Sequence, residues 1–278
     1  MRIEFFSPRW GSENILWNEF ILQVKDAGFN GIEWAIGNDV KAQEIELVWK
    51  QAAKHNLSII PQHYATFESD FDEHYTQYNQ WLQKIEPFKP IKINSQTGKD
   101  FFTFEQNSAL INVADEFTAR TGIQVYHETH RNKFSFAAHI TKAYLLALPA
   151  LKLTFDVSHW INVAESYLAD QQEAVELAIE RTGHIHARVG YPEGPQISDP
   201  RAPEWKETVD IHLKLWKLIV RQMHRRQEEL LTITPEFGPY PYLVKLPFTK
   251  QPIANQWDIN LYMMQMLKEA LTKDTVEV

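Results

Sequence analysis

Four β-type runs of the sequence end in a side chain that can bind a metal ion or transfer a proton. In chain order these residues are Glu128, Asp156, His186 and Glu236. Positions that share a strand face with them are polar, whereas the alternate positions are mostly apolar, so the polar faces are predicted to point inward. Three carboxylates buried together need a counter-charge, and a divalent cation supplies it most simply. The pattern therefore predicts one divalent metal site.

The ligand types limit the metal but do not identify it. The chain of 278 residues has no cysteine, so only oxygen and imidazole ligands are available. Such ligands favour Mn2+, Mg2+, Co2+ or Zn2+. The run His127-Glu128-Thr129-His130 is one residue short of the HExxH motif and lies on a predicted strand rather than a helix, which argues against a zinc protease.

Short β-type runs alternate with amphipathic helical stretches along the whole chain. Strands are predicted to start near Arg2, Asn30, Leu57, Pro90, Ile123, Leu151, His184 and Leu230. This spacing is close to the ~30 residues of one βα unit. Eight units predict the α/β class, as a (β/α)8 TIM barrel that forms a single domain over residues 1–278. An open doubly wound sheet is the alternative, but no glycine-rich nucleotide-binding turn follows any strand.

Helix boundary signals accompany the predicted strands. Ser12 is predicted to cap the first helix, which Gly28 would end. Asp170 and Glu173 resemble a capping box, and Gly183 is predicted to end the helix that follows.

Composition limits the partners that the chain can have. The sequence is 44% hydrophobic and 23% charged, with a formal net charge of −8. It has no extended basic patch, which argues against nucleic acid and anionic membranes as partners. No apolar run reaches the roughly 18 residues of a membrane helix, and the N-terminus resembles a strand rather than a signal peptide. A soluble, cytoplasmic protein is expected.

Five motifs in order resemble the sugar phosphate isomerase/epimerase superfamily, the xylose-isomerase-like barrels, over essentially the whole chain. They are Gly28–Glu33, His127–His130, Phe155–His159, Gly183–Arg188 and Thr234–Gly238. In ketose 3-epimerases of this group one metal is held by residues that correspond to Glu128, Asp156, His186 and Glu236. The resemblance also implies a substrate-contacting His159 and a homodimer or homotetramer. Arg188 follows the metal histidine by two residues rather than several, and the signature of true xylose isomerases is missing.

The resemblance implies a metal-dependent isomerase or epimerase that acts on a sugar or sugar derivative through an enediolate. Glu128 and Glu236 would remove and return the proton. The side chains expected to contact this carbohydrate are Trp10, Gln62, His63, His159 and Arg188. No glycine-rich phosphate site is evident, which favours an unphosphorylated substrate. A metal-dependent lyase or dehydratase of a keto-sugar or cyclitol, and a non-catalytic carbohydrate-binding barrel, are the alternatives.

Overall fold

The computed structural model describes residues 1–273 and contains eight parallel strands. The strands are β1 (Arg2–Pro8), β2 (Gly31–Ala35), β3 (Ser58–His63), β4 (Ile93–Ser95), β5 (Val125–Glu128), β6 (Leu153–Phe155), β7 (Thr182–His186) and β8 (Leu230–Thr234). Each pairs in parallel with the next, and β1 pairs with β8, which closes the barrel. The predicted (β/α)8 barrel is confirmed, and every strand begins within a few residues of its predicted start.

Helices follow the strands and surround the barrel. They are α1 (Trp17–Asp26), α2 (Ala42–Lys54), α3 (Phe71–Ile85), α4 (Phe104–Thr121), α5 (Ala138–Ala147), α6 (Val157–Ala164), α7 (Gln172–Arg181), α8 (Lys206–Arg225) and α9 (Gln256–Lys273). Short 3-10 helices cover Glu86–Phe88 and Pro203–Trp205. None of the helices within residues 1–273 has the length and apolar character needed to cross a membrane.

Two predicted helix starts and one predicted helix end are wrong. Ser12 does not cap α1, since residues 9–16 form a turn around the Arg9 guanidinium, whose Nη2 donates to the carbonyl oxygen of Ile15 at 2.6 Å. The helix after Asp170 begins without a side-chain cap. Gly183 lies inside β7 and ends no helix. A Cβ at this position would lie 2.4 Å from the ring of Tyr126, so glycine is needed there for packing inside the barrel.

Strand residues alternate between an apolar outer face and a polar inner face. Outward-pointing residues such as Val125, Phe155 and Ile233 belong to the large core between strands and helices. Inward-pointing residues on β5 to β8 are polar, as predicted from the alternation, and they bury carboxylates and imidazoles in the barrel. Burial of so much polarity is stable only where the groups satisfy one another. The barrel interior is therefore the place to look for chemistry.

Candidate metal and active site

The four predicted ligands converge at the carboxyl ends of β5 to β8. Glu128, Asp156, His186 and Glu236 each offer one ligand atom, and these four atoms lie within 4.8 Å of one another. Glu128 ends β5 and His186 ends β7, whereas Asp156 directly follows β6 and Glu236 follows β8. All four are buried, with Glu236 only 4% exposed. The structure thus brings together three carboxylates and one imidazole from four successive strands.

His186 and Glu236 make one short contact in this group. His186 Nδ1 lies 2.5 Å from Glu236 Oε2. Neither atom has a hydrogen-bond partner that satisfies angular criteria, although both are buried. A ring nitrogen and a carboxylate oxygen without hydrogen-bond partners suit a shared cation, because a cation can accept a lone pair from each of these two atoms.

Glu33 on β2 determines how the His186 ring is used. Its Oε1 lies 2.9 Å from His186 Nε2, and its Oε2 lies 3.1 Å from His184 Nε2. A carboxylate only accepts hydrogen bonds, so each of these ring nitrogens donates. When the His186 ring carries a single proton, Nδ1 holds the lone pair, which is directed toward Glu128 and Glu236. The other ring nitrogen of His184, Nδ1, lies 2.7 Å from Thr232 Oγ1. This contact completes a buried chain of hydrogen bonds from His186 through Glu33 and His184 to Thr232.

Two amide side chains hold the carboxylates in place. Gln62 Nε2 donates to Glu128 Oε2 at 3.1 Å and to Glu236 Oε1 at 3.2 Å. Asn94 Nδ2 donates to Glu128 Oε2 at 3.0 Å and to Glu33 Oε1 at 2.9 Å. Each amide uses both of its hydrogens on two carboxylates, which fixes the distance between them.

Burial and mutual interaction shift the pKa values of these groups in different directions. Burial raises the pKa of Glu236 to about 7, and the charge of Glu128 acts in the same direction. Burial also opposes ionisation of Glu128, but His186 outweighs it and holds the pKa of Glu128 below its usual value. For His186, burial is outweighed by Glu236, Glu33 and Glu128, which raise its pKa well above its usual value. The carboxylates therefore favour added positive charge in this space.

The backbone at Glu236 is strained. This residue has a φ of 54°, in the left-handed region that residues other than glycine and asparagine rarely adopt. Such a conformation costs on the order of 1–3 kcal/mol and is concentrated at functional sites. The next residue, Phe237, is anchored because its amide donates to Asn260 Oδ1 at 2.8 Å. In this conformation the Glu236 carboxylate contacts His186.

Arg188 forms a buried ion pair with Asp156. Its Nη2 donates to Asp156 Oδ2 at 2.5 Å and lies 4.0 Å from Glu236 Oε2. The guanidinium also packs over the ring of Tyr242, 4.7 Å from its centroid. Ser158 donates from its backbone nitrogen and its hydroxyl to Asp156 Oδ1, at the first turn of α6. Asp156 is consequently the N-cap of α6 as well as a member of the converging group.

A cavity of about 390 Å³ opens above the converging carboxylates. Its lining consists of Trp10, Glu13, Ala35, Gln62, Tyr64, Gln96, Glu128, His130, Arg188, Glu236 and Tyr242. The predicted substrate contacts Trp10, Gln62 and Arg188 are among these residues. Trp10 is placed by Gly238, where a Cβ would lie 2.2 Å from the indole ring. Aromatic faces at the opening and polar groups at the floor suit a ligand with apolar CH faces and several hydroxyls.

Two of the predicted substrate contacts do not line this cavity. His63 points outward from β3, where its Nε2 lies 2.7 Å from Thr66 Oγ1 and its ring packs on Tyr78. The alternation of strand side chains gives Gln62 the inner face, so His63 must take the outer one. His159 is fully buried behind Arg188, with its Nε2 2.6 Å from Arg188 Nη2. His130, whose ring centroid lies 4.0 Å from that of His159, lines the cavity instead.

Sequence reasoning missed several residues of the site. Glu33 was noted only as part of a motif, although its place on the face of β2 opposite to Ile32 and Trp34 could have revealed an inward carboxylate. Asn94 could have been found in the same way, from the apolar Ile93 beside it. Tyr242 gives no local signal, because it lies in a loop far along the chain from its neighbours.

The fold and this site together define a closed (β/α)8 barrel with a buried group of possible metal ligands at the carboxyl ends of β5 to β8. Solved structures that match almost the whole chain share this barrel fold. The sequence itself matches no protein-family model and no curated protein.

Three solved structures illustrate the extent of this structural similarity. A D-psicose 3-epimerase from Clostridium cellulolyticum H10 has a TM-score of 0.62 and 12% identity, with 96% of this chain and 99% of that chain covered. The probable 3-DHS dehydratase of petrobactin synthesis from Bacillus anthracis has a TM-score of 0.58 and 16% identity, with coverages of 95% and 98%. A sugar phosphate isomerase/epimerase from Parabacteroides distasonis has a TM-score of 0.57 and 11% identity, with 95% of this chain and 98% of that chain covered. At these identities the likeness establishes the fold.

Proposed function

We propose that the protein is a divalent-metal-dependent isomerase or epimerase of a sugar or sugar derivative. The observation that carries this proposal is the pair of cavity-lining glutamates, Glu128 and Glu236, tethered to one another by Gln62. Similar structures include a 3-epimerase and a sugar phosphate isomerase/epimerase, which supports sugar chemistry for this barrel.

The residues present fit a single divalent cation. Glu128, Asp156, His186 and Glu236 would hold it, since they are the four side chains whose ligand atoms converge. The unsatisfied His186 Nδ1 and Glu236 Oε2 support this assignment. When bound, such a cation would polarise neighbouring substrate oxygens and so acidify the carbon-bound proton between them. Its identity stays open among Mn2+, Mg2+, Co2+ and Zn2+.

The protein's own groups account for the movement of the proton. One glutamate removes the proton next to the carbonyl group, and the other returns a proton to the resulting enediolate. Gln62 and Asn94 keep both carboxylates oriented before substrate arrives, which lowers the cost of reorganisation. Arg188 and His130 reach the cavity from its far wall and are placed to orient substrate hydroxyls. Trp10 and Tyr242 provide the apolar faces against which a sugar ring packs.

A lyase or dehydratase is the second candidate. It shares the first step, proton removal next to a carbonyl group, and the structural similarity to a probable 3-DHS dehydratase favours it. The two candidates differ in the fate of the enediolate. An epimerase returns a proton to it, whereas a dehydratase protonates a neighbouring hydroxyl group, which leaves as water. A barrel that binds carbohydrate without turnover is the third candidate.

Solvent-proton exchange separates these candidates. We expect the Mn2+-loaded protein to incorporate deuterium from D2O next to the carbonyl of at least one member of a panel of ketoses and keto-inositols, followed by NMR. A chelator should abolish this exchange. Retained carbon skeletons with changed stereochemistry identify an epimerase, and loss of water identifies a dehydratase. If no substrate exchanges and Mn2+ does not raise the melting temperature, the result favours the non-catalytic barrel.

Replacement of Glu33 by Gln tests the assignment of His186 as a ligand. A glutamine cannot accept hydrogen bonds from both histidines with both of its terminal atoms, so the His186 ring loses its fixed orientation. We expect Mn2+ affinity, measured by calorimetry, to fall about 10–100-fold. Glu4→Gln on β1 is the matched control, because Glu4 pairs with Arg2 and contacts neither histidine. Equal Mn2+ affinity in both variants would show that Glu33 does not orient the metal ligand.

A further inference from the structure

A second cavity adjoins the first one over strands β1 to β3. Its volume is about 280 Å³, and it shares Trp10, Glu13, Ala35 and Tyr64 with the cavity above the carboxylates. The remaining lining consists of Arg9, Trp17, Trp34, Gly37, Asp39, Val40 and Glu44. Because four residues line both spaces, the two cavities are direct neighbours. Together they offer more room than a single monosaccharide fills.

The lining of this second cavity has the composition of a carbohydrate subsite. Trp10 and Tyr64 line both cavities and supply flat apolar faces, which pack against the CH faces of a sugar ring. Glu13, Asp39 and Glu44 are exposed carboxylates at its rim and accept hydrogen bonds from hydroxyls. Three carboxylates in one rim repel a phosphate group. The chemistry therefore favours an uncharged, hydroxyl-rich group over a phosphorylated one.

A buried, incompletely satisfied cation is an independent sign of a ligand. Arg9 lines the cavity and is only 6% exposed. Its guanidinium carbon lies over the Trp17 ring at 4.2 Å, and its Nη2 donates to the carbonyl oxygen of Ile15. Nη1 has no hydrogen-bond partner. A buried donor without a partner is costly, and an acceptor oxygen from a bound ligand would remove that cost.

Gly37 leaves room for two side chains at the rim of this cavity. A Cβ at Gly37 would lie 2.5 Å from Asp39 Oδ1 and 3.4 Å from the Tyr64 hydroxyl oxygen. Any other residue at this position would push the carboxylate or the phenol away. Glycine thus lets Asp39 and Tyr64 approach each other at the rim.

We propose that the second cavity binds a second sugar ring, so that the substrate is a glycosylated ketose rather than a free monosaccharide or a sugar phosphate. This inference rests on the proposed function, which places the reacting ketose in the first cavity. The glycosyl unit would pack on Trp10 and Tyr64, and its hydroxyls would donate to Asp39 and Glu44.

Paired substrates and a cavity-filling variant test the proposal. The probes are lactulose, maltulose and isomaltulose against D-fructose and D-fructose 6-phosphate, with solvent-deuterium incorporation as the readout. We expect kcat/KM for at least one disaccharide to exceed that for D-fructose by on the order of tenfold, the effect of about 1.4 kcal/mol of added binding. Val40→Phe should remove this preference, because Val40 lines only the second cavity, and leave kcat/KM for D-fructose unchanged.

Leu47→Phe is the matched control, since Leu47 is exposed on α2, the helix that follows Val40, and lines neither cavity. Equal kcat/KM for the disaccharides and D-fructose, or an equal loss for both in Val40→Phe, overturns the subsite. Calorimetry with the unreactive polyols maltitol and sorbitol separates the two proposals. Tighter binding of maltitol that Val40→Phe abolishes supports the subsite even where no ketose exchanges protons. Deuterium exchange with a ketose, but without tighter binding of maltitol than of sorbitol, contradicts the subsite and leaves the proposed function intact.

Discussion

Glu236→Gln should reduce turnover by about 10³-fold or more, within the range expected for loss of a positioned acid or base. The amide is nearly isosteric with the carboxylate, but it cannot accept a proton from the substrate or return one. The strained backbone at Glu236 does not distinguish the two side chains, so the fold should persist. The measurement is deuterium exchange with the best substrate of the panel, at Mn2+ concentrations that saturate the variant.

The control for this experiment is Glu229→Gln. Glu229 is exposed and directly precedes β8, at the opposite end of the strand from Glu236. It should retain full activity, and circular dichroism should show both variants folded. Metal content must be measured alongside, because Glu236 is also an expected ligand. A metal-loaded Glu236→Gln protein with normal turnover would exclude this glutamate as acid or base and would require another proton donor in the cavity.

Arg188→Met should have the largest effect on stability. The substitution leaves Asp156 buried without its cationic partner, and it also removes the packing on Tyr242. Removal of one partner from a buried ion pair costs about 3–5 kcal/mol, because the remaining charge is uncompensated. Urea unfolding in the presence of a chelator should show this loss in the free energy of unfolding. Saturating Mn2+ should recover part of it, since a cation next to Asp156 supplies the missing charge.

Arg201→Met is the matched control for Arg188→Met. Arg201 pairs with Asp199 at 2.6 Å, but its side chain is 44% exposed. Water screens that pair, so its removal should change the free energy of unfolding by about 1 kcal/mol or less. Similar losses in the two variants would mean that the Arg188 pair is no more important than a surface pair. An Mn2+ effect that is identical in the parent and in Arg188→Met would separate Asp156 from the metal site.

The sequence predicted the frame of this site because strand alternation is a local property. Polar residues at every second position of β5 to β8 identified which side chains point inward, and the parallel order placed their ends at one rim of the barrel. Glu128, Asp156, His186 and Glu236 therefore converge as expected. The same rule, applied to β2 and β4, would have added Glu33 and Asn94.

Local signals failed where tertiary contacts override them. Ser12 was predicted to cap a helix, yet the chain there turns around Arg9 and lines the second cavity. Gly183 is a residue type that often ends a helix, but here it lies within β7. The Tyr126 ring occupies the space that a larger side chain at this position would need. His63 has a residue type suited to binding, but the phase of β3 directs it outward.

The sequence alone determined the barrel, its phase and the inventory of ligands, since these depend on periodicity and on residue types within each βα unit. Only the tertiary structure decided which groups touch across the barrel. The bond from Glu33 to His186 and the bridge of Gln62 between Glu128 and Glu236 join residues far apart in the chain. Such contacts depend on the closure of eight strands and on loop paths, which no local pattern encodes.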